Sequence, residues 1–477
     1  MLNRRFRGAP HRRALHIGTA LVRAAILSVG VAAAGGASAE SLKEQAARQV
    51  VLHVTNEAQL ESILQELRNA NFQVDVVDRI PRRPLFLLNI GPSKTAQQAV
   101  ASLNDCTGVE FAELNYLVSS DPWLREPGSK AKLNSVLAIG DGMTCIGDQG
   151  QEDCEPQAVN ELLRLDLAHL SSTGAGVRVA VLDTGVDPNH PDFAGLALLA
   201  QRDFIDNDDD ATEGGTAITD IDDFGPSSVG HGTHVTGIVR RVAPDADLMV
   251  GRVLDPTGTG TTWLTAKGIF WAMDPFDNGN PNAGAHVINL SLDTRADTQV
   301  LRLSSNVVTC NAVPARQAWK DDRRRCSDAH LQAVMVAAVG NDASSNARLY
   351  PAAYSYFVPG MLAVAASDNR PTLVRAPAFF TNSGTYVDVA APGYGIRSQF
   401  FDDSLAWISG TSMAAPMVSG LAALVRGIGP NPNDWNANVV VDRIRTRGVK
   451  MCGTPTTFTH VDVAATVDGA ASLGPCP

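Results

Sequence analysis

The hydrophobic pattern of residues 49–118 alternates between two periods. Strand-like apolar runs occur in QVVLHVT, FQVDVVDR, PLFLLNI and VEFAELNYLV, whereas helical spacing occurs in NEAQLESILQELRN and SKTAQQAVASL. Asn56 and Ser93 are predicted as the helix N-caps, because a short polar side chain there accepts a hydrogen bond from a free amide. The order is that of a split βαββαβ unit, which needs only about 70 residues.

From about residue 160 the pattern changes to short, almost continuously apolar runs separated by helical stretches. The runs are VRVAVLD, DLMVGRVLD, HVINLSL, AVMVAAVG and MLAVAAS. Strands of this kind are typical of a parallel sheet that is covered by helices on both faces, so the predicted fold class is α/β. Ligands of such sheets bind at the carboxyl ends of the strands, and Asp183 ends the first run.

The first 39 residues predict a secretory signal peptide. A segment with six arginines and no acid is followed by a short apolar stretch and the small residues Ala37-Ser38-Ala39. Arg23 and the glycines leave too few consecutive apolar residues for a membrane anchor. Arg4-Arg5 would fit the twin-arginine route, but the general export pathway is favoured.

A polar stretch rich in Pro and Gly, SSDPWLREPGSK, divides the rest of the chain. The predicted units are a leader at 1–39, a small α+β unit at 40–125 and a large domain at 126–477. The core of the large domain covers about 160–450, and 451–477 form an extension.

The charge pattern is acidic. The net charge is −11, and it becomes −17 without the leader (33 basic against 50 acidic residues). An exported acidic protein has no attraction to nucleic acid or to an anionic membrane surface, and we expect neither as a partner. A monomer is expected.

Seven cysteines in an exported chain favour disulfides with one thiol left over. Short separations favour Cys145 with Cys154, Cys310 with Cys326 and Cys452 with Cys476, although six cysteines allow fifteen pairings. Cys106 is then the remaining thiol. The chain has no cysteine or histidine cluster with zinc spacing.

Asp183-Thr184-Gly185 is the triplet of an aspartic protease. That chemistry needs two carboxylates that share a proton, and the chain contains no second Asp-Thr-Gly or Asp-Ser-Gly. Further along, GHGTHVTG places His231 and His234 at the start of a predicted helix. The Glu of a His-Glu-x-x-His zinc site is missing, and either histidine alone would be read as structural.

WISGTSMAAPMVSGLAALV places Ser412 in the first turn of a long apolar helix, where Pro416 is expected to be tolerated. A serine in this position is commonly just an N-cap. As a nucleophile it needs a histidine that accepts its proton and an acid that orients that histidine.

Together, VAVLDTGVD, GHGTHVTG and SGTSMAAP resemble the subtilisin-like serine proteases (subtilases) over roughly residues 160–450. The chain order Asp, His, Ser is a known property of that family. The resemblance implies that Asp183 orients the imidazole, that His231 is the general base and then the general acid, and that Ser412 is the nucleophile. It also implies that Asn341 and the backbone amide of Ser412 form the oxyanion hole.

The resemblance further implies two walls of a substrate cleft. RVLDPTGTGTTW is similar to one edge, where Gly258 and Gly260 leave room for pairing with an extended peptide. The opposite wall is expected at Ser291 and Leu292, and Gly340 beside the oxyanion hole is expected to contact substrate.

Two positions depart from the family pattern, and both leave specificity open. Asp293 replaces a common glycine and could favour a basic side chain before the scissile bond, whereas Leu349 replaces a small residue and could shorten the pocket. The segment between Leu292 and Ala333 is longer than a compact family member needs, and it contains the Cys310 and Cys326 pair.

The front unit is similar to the inhibitory propeptides of subtilases, which share its βαββαβ order and leave their tail in the active-site cleft. The resemblance therefore implies a secreted serine endopeptidase, made as a zymogen, that acts on proteins or peptides with its own propeptide as an intramolecular inhibitor. The alternatives are a catalytically silent homologue that acts as a calcium-dependent binding module, an independent N-terminal domain, and, more distantly, an aspartic protease.

Nine acids lie in DFIDNDDDATEGGTAITDIDD, directly before His231. Asp206, Asp208 and Asp210 have oxygen-ligand spacing, but Ala211 and Ala217 occupy the Gly and Glu positions of an EF-hand loop, so that motif fails. Subtilases often bind calcium, and a structural calcium site and a solvated acidic loop both remain open, with no ligand assigned. No cofactor is expected for the chemistry.

Overall fold

The computed structural model describes residues 40–120, 157–193, 198–214, 228–276, 283–316, 319–327, 332–370, 374–429, 431–453, 456–474 and 476. The leader, the Cys145 and Cys154 pair and most of the Pro/Gly stretch lie outside these residues. The described residues from Ser41 onward belong to one compact unit. No helix in the described ranges combines the length and the apolar character that a membrane crossing requires.

Twelve α-helices are present in these residues. They are α1 Leu42–Ala46, α2 Leu60–Asn69, α3 Ala96–Asn104, α4 Gln157–Leu163, α5 Leu165–Ala168, α6 His231–Val242, α7 Thr262–Met273, α8 Gln299–Val308, α9 Lys320–Ser327, α10 Thr411–Arg426, α11 Ala437–Arg447 and α12 Val463–Val467. Short 3₁₀ turns lie at Glu57–Gln59, Pro191–Phe193, Ala352–Tyr356 and Pro432–Asp434.

The same residues contain seventeen strands. They are β1 Gln49–Val54, β2 Val74–Arg79, β3 Leu85–Ile90, β4 Val109–Leu114, β5 Leu117–Ser119, β6 Arg178–Asp183, β7 Ala200–Asp203, β8 Asp247–Arg252, β9 Thr259–Thr261, β10 Val287–Leu290, β11 Val334–Ala338, β12 Met361–Ser367, β13 Val389–Pro392, β14 Ile396–Phe400, β15 Ser404–Ile408, β16 Val449–Lys450 and β17 Thr459–His460.

Residues 41–120, called the N-terminal subdomain below, contain an antiparallel sheet in the order β2-β3-β1-β4. Alternate residues of β1 face opposite sides of this sheet. Val50 and Leu52 pack with α2 and α3, whereas Val51 packs toward the rest of the molecule. The elements follow one another in the predicted βαββαβ order, so one sheet face covers the subdomain's own helices and the other is free to dock.

Two local predictions in the subdomain were wrong. Thr95, not Ser93, is the N-cap of α3, because Thr95 and Gln98 form a reciprocal capping box. The single strand predicted for VEFAELNYLV divides into β4 and β5, and Ser119 belongs to β5 and not to a linker. Asn56 is an N-cap as predicted, although it caps a 3₁₀ turn that leads into α2.

The large sheet has nine strands in the order β16-β17-β13-β12-β11-β10-β6-β8-β7, and only the β16 and β17 pair is antiparallel. One face packs on α6, α10 and α11 and the other on α7 and α8. The α/β fold with a parallel sheet between two helical layers is therefore confirmed. The first predicted strand becomes β6, a central strand that ends at Asp183.

Two disulfides lie in the described residues. Cys310 is bonded to Cys326, which attaches α9 to the end of α8, and Cys452 is bonded to Cys476 near the C-terminus. The Cα atoms are 5.4 and 5.5 Å apart, within the usual range for a disulfide. Cys106 is a free thiol.

Candidate active site

Asp183 and His231 meet at the carboxyl end of the central strands. Asp183 is fully buried at the end of β6, and His231 is the first residue of α6. His231 Nδ1 lies 2.7 Å from Asp183 Oδ1, and the Thr184 amide donates to the same oxygen at 2.7 Å. A carboxylate at Nδ1 favours the tautomer that is protonated there, so Nε2 is the basic nitrogen.

His234 has a different environment one turn later in α6. Its ring is fully buried, and Nε2 lies 3.0 Å from the carbonyl oxygen of Ile396 and 3.1 Å from that of Ala406. Burial lowers the pKa of His234 to about 3. This neutral imidazole connects α6 to the β14 and β15 hairpin, so its role is structural.

Ser412 lies in the first turn of α10, a helix whose residues are all buried. Its Oγ is 3.4 Å from the carbonyl oxygen of Ser291. Pro416 was expected in the first turn, but α10 begins at Thr411 and the proline falls in the second turn. Proline has no amide to offer the Ser412 carbonyl, and the Ser291 hydroxyl donates to that oxygen instead at 2.8 Å.

Asn341 follows β11 and has a fixed amide orientation. Its Oδ1 accepts from the Thr411 amide at 2.9 Å and from the Thr411 hydroxyl at 3.1 Å. With Oδ1 engaged, Nδ2 is the free side of the amide. A Cβ atom at Gly410 would lie 3.5 Å from Asn341 Nδ2 and 3.6 Å from the Ser412 amide nitrogen, so both expected oxyanion donors border the same small space.

Asn382 shapes the loop that carries Asn341, and no sequence motif indicated this residue. The backbone amide of Asn382 donates to the Gly340 carbonyl at 3.0 Å, and its side-chain Nδ2 donates to the Val339 carbonyl at 3.0 Å. Its Oδ1 accepts from the Asp342 and Ser344 amides at 3.1 and 3.0 Å. One fully buried amide therefore satisfies the turn that holds Asn341 in place.

The tail of the N-terminal subdomain lies in the cleft beside these residues. Strand β5 pairs antiparallel with β9, and the Ser120 amide donates to the Gly258 carbonyl at 3.0 Å. On the other side, Ser119 and Asp293 exchange two backbone hydrogen bonds of 3.0 and 2.9 Å. Gly260 of β9 lies opposite Val118 of β5, and a Cβ at Gly260 would collide with the Val253 carbonyl oxygen.

The opposite wall uses its backbone one or two residues later than expected. The wall was placed at Ser291 and Leu292, but the backbone groups that pair with the tail belong to Asp293. Leu292 is buried in the core, and Ser291 contacts Ser412.

Gly340, Leu349 and Asp293 lie together next to Asn341. Gly340 has φ +92°, and a Cβ there would collide with Leu349 Cδ1 and would lie 3.4 Å from Asp293 Oδ2. Leu349 is fully buried and Asp293 is 4% exposed. Leu349 and the carboxylate of Asp293 therefore both lie against Gly340, the residue before Asn341.

Several acidic side chains of the segment before His231 form ion pairs or hydrogen bonds within the protein. Arg252 Nη1 lies 2.5 Å from Asp203 Oδ2 and 2.7 Å from Asp206 Oδ2. Asp210 accepts from the amide and hydroxyl of Thr212. Within the described part of this chain no group of three His, Cys, Asp or Glu side chains could hold a metal ion.

Comparisons with known proteins identify a family to which this chain is similar. The family model described as "Subtilase family" matches residues 174–451, a range that includes Asp183, His231, Asn341 and Ser412. Thermitase of Thermoactinomyces vulgaris is 33% identical over 305 residues, which are 61% of this chain and 89% of thermitase. A thermophilic serine proteinase of Bacillus sp. (strain AK1) is 35% identical over 297 residues, 60% of each chain. Subtilisin Savinase of Lederbergia lenta is 31% identical over 268 residues, 54% of this chain and 79% of Savinase.

Proposed function

The chain belongs to the subtilase family of serine endopeptidases, and we propose that it hydrolyses peptide bonds through an acyl-enzyme on Ser412 after export and release from an inhibitory N-terminal subdomain. The observation that carries the catalytic part is the 2.7 Å contact between His231 Nδ1 and the buried Asp183 carboxylate. It leaves Nε2 as the base at the end of the cleft that the tail of the subdomain occupies.

In the proposed reaction, Ser412 Oγ attacks the peptide carbonyl carbon while its proton passes to Nε2 of His231. The oxyanion receives hydrogen bonds from Asn341 Nδ2 and the Ser412 amide. The imidazolium then gives its proton to the leaving amine as the C–N bond breaks. A water molecule then attacks the acyl carbon while its proton passes to Nε2 of His231. The imidazolium returns a proton to Ser412 Oγ as the ester bond breaks and the acid product leaves. Asp183 keeps its charge throughout and stabilises the imidazolium.

The contacts of the subdomain support the zymogen part of the proposal. Strand β5 uses the backbone groups of β9 and Asp293 that an extended substrate would need. The subdomain lies outside the range matched by the family model, so its inhibitory role rests on these contacts. The leader pattern supports export, and the relatives support proteins or peptides as substrates.

A fluorophosphonate probe tests the catalytic part. Processed protein should react at Ser412, and the Ser412→Ala variant should not, since the probe forms its bond with an activated serine oxygen. Peptide mapping locates the label. Properly folded, matured protein that fails to label at Ser412 would contradict the proposal. Inhibition of its proteolysis by pepstatin would support an aspartic protease instead.

Precursor processing tests the zymogen part. Ser412→Ala and His231→Ala should both accumulate the unprocessed chain if the protein cleaves itself, and mass spectrometry of the secreted product would show it. Normal processing of both variants would assign the cleavage to another protease.

A further inference from the structure

Glu213 is a fully buried carboxylate behind the Asp183 and His231 pair, and the reaction above does not use it. Its Oε1 accepts hydrogen bonds from the Gly230 amide at 3.0 Å and the Gly232 amide at 3.3 Å, which are the residues on either side of His231. The hydroxyl of Thr184, the residue after Asp183, donates to the same oxygen. One side chain thus contacts both elements that carry the pair.

The two hydroxyls around Glu213 have a defined direction. Thr184 Oγ1 accepts from the Gly232 amide at 2.9 Å, so its own proton points to Glu213 Oε1. Thr233 Oγ1 accepts from the Asp187 amide at 2.7 Å, and its proton points to Oε2. Both carboxylate oxygens therefore receive hydrogen bonds, and none of these contacts needs a proton from Glu213.

The backbone around Glu213 is closely packed. Gly185 has φ +112°, and a Cβ at Gly232 would collide with the Gly185 carbonyl oxygen, so the turn after β6 and the start of α6 touch directly. The segment that carries Glu213 is fixed to this turn, because the Val186 amide donates to the Ala211 carbonyl and the Glu213 amide to the Val186 carbonyl, both at 3.0 Å.

Helix α6 begins without a side-chain cap of its own, since its N-cap is Gly230. The first amides of a helix lack helical partners, and the positive end of the helix favours an anion. Glu213 supplies both the acceptor and the charge from a segment 17 residues before Gly230. Because His231 is the first residue of that helix, the same anion fixes the imidazole relative to Asp183.

We propose that Glu213 is a positioning residue of the catalytic site: its carboxylate holds the Asp183 turn against the start of α6 and adds a second negative charge behind the imidazole. This inference rests on the proposed function of Asp183, His231 and Ser412. Burial, with a smaller effect from the nearby Asp183 charge, raises the pKa of Glu213. The hydrogen bonds from Thr184 and Thr233 act in the opposite direction.

The test uses Glu213→Gln in the matured protein, with Asp210→Asn as the matched control. Asp210 lies in the same segment, is exposed and accepts only from Thr212 in the contacts described. Gln removes the charge and turns one acceptor into a donor that faces a donor. We expect kcat to fall about tenfold or more with little change in KM. The acid limb of kcat/KM, which reports the free general base, should move to lower pH.

A second pair of variants guards against loss of folding in Glu213→Gln. Thr184→Val removes the hydroxyl that connects the Asp183 turn to Glu213, and it should shift the acid limb in the same direction, whereas Thr184→Ser should restore the parent profile. A purely structural Glu213 would lower Tm and leave kcat and the pH profile unchanged below Tm, and that result would overturn the inference. If Ser412→Ala retains activity, the proposed function fails instead, so the two failures are distinguishable.

Discussion

The amide of Asn341 has two sides, and only one of them suits an oxyanion hole. Thr411 donates twice to Oδ1, which leaves Nδ2 facing the space beside Gly410 and the Ser412 amide. The proposed donor is therefore oriented before substrate arrives, and the proposed reaction needs no reorganisation of Asn341 when charge develops on the carbonyl oxygen.

Asn341→Ala should lower kcat by about 10²–10³ with little change in KM, because the lost hydrogen bond forms fully only in the transition state. Steady-state kinetics on a peptide substrate would measure both constants. Asn346→Ala, an exposed asparagine in the same loop, is the control. A loss confined to KM would contradict the assignment.

Leu349 gives a second prediction at the scale of single residues. It is fully buried against Gly340, next to the oxyanion hole, so the enzyme should favour a short side chain before the scissile bond. Leu349→Ala should raise kcat/KM for a Phe substrate relative to an Ala substrate by about tenfold or more, since a few buried carbon atoms are worth that much discrimination.

A matched substrate series measures this ratio, and Leu170→Ala, at an 83% exposed leucine, is the control. An unchanged ratio would contradict the prediction. A preference for Lys or Arg that disappears in Asp293→Asn would instead support Asp293 as the residue that selects a basic side chain.

The residues expected to act in the reaction were recognisable because each lies in a local motif. Asp183, His231, Ser412 and Asn341 could all be named from short stretches, and their proposed roles stay predictions until kinetics test them. Glu213 and Asn382 could not be found in this way. Their contacts come from separate segments that are brought together only by the fold, and neither residue has a motif of its own.

Among the elements, the continuous apolar strands of the parallel sheet were the most predictable. Strands β6, β8, β10, β11 and β12 were all expected, because strands buried on both faces have few polar residues. The short strands β7, β16 and β17 and the β14 and β15 hairpin were not expected. Two to five residues with mixed polarity give no period that could distinguish them from loops.

The Cys310 to Cys326 disulfide gives a prediction about how a helix is held in place. It closes a loop with a sequence separation of 16, and it fixes α9, whose Asp322 pairs with Arg83 of the subdomain. Replacing both cysteines by serine should lower the free energy of unfolding by about 3 kcal/mol, mainly because the unfolded chain gains freedom. Urea unfolding in the Ser412→Ala background avoids self-digestion.

Cys106→Ser, at the free thiol, is the control for this measurement and should change stability much less. Equal stability of the double serine variant and its parent would show that the loop is already fixed by its packing.

For the molecule as a whole, the contact between the subdomain and the peptidase domain is extensive and mixed. Val51, Leu85 and Phe111 belong to the same apolar cluster as Phe270 of α7. Polar contacts surround it, and they include the Lys267 ion pair with Asp78, whose Oδ2 also accepts from Trp263 Nε1, and the Arg83 ion pair with Asp322. The sequence indicated a separate N-terminal unit, but only the fold shows which face of the subdomain contacts the peptidase domain.

Two titratable groups of this contact, His53 and Glu113, have pKa values that are shifted in opposite directions. His53 packs against Trp319, and burial, helped by the Arg316 charge and opposed by Glu110, lowers the pKa of His53 to about 4. Glu113 accepts from the Gln299 and Val300 amides at the start of α8, yet burial raises the pKa of Glu113 to about 7. The two groups are expected to change stability with pH in opposite directions.

The signs follow from proton counting. Below its ordinary pKa of 6.5 and above about 4, His53 binds a proton only when the chain unfolds, so its contribution to stability falls as the pH falls. Between its ordinary pKa of 4.5 and about 7, Glu113 binds a proton only in the folded chain, so its contribution falls as the pH rises. From pH 4.5 to 6.5 the two slopes, each at most about 1.4 kcal/mol per pH unit, cancel in the parent chain.

Single variants should reveal the two opposite pH dependences of stability that cancel in the parent chain. In the intact Ser412→Ala chain, His53→Phe should be most stable relative to its parent at pH 4.5 and should lose that advantage toward pH 6.5. Glu113→Gln should show the reverse trend, with its stability relative to the parent rising with pH. Denaturant unfolding at half-unit pH steps gives both differences, and subtraction of the parent removes the contribution of every other group. Parallel profiles for the two variants would contradict the assignment, because groups with oppositely shifted pKa values cannot give slopes of the same sign.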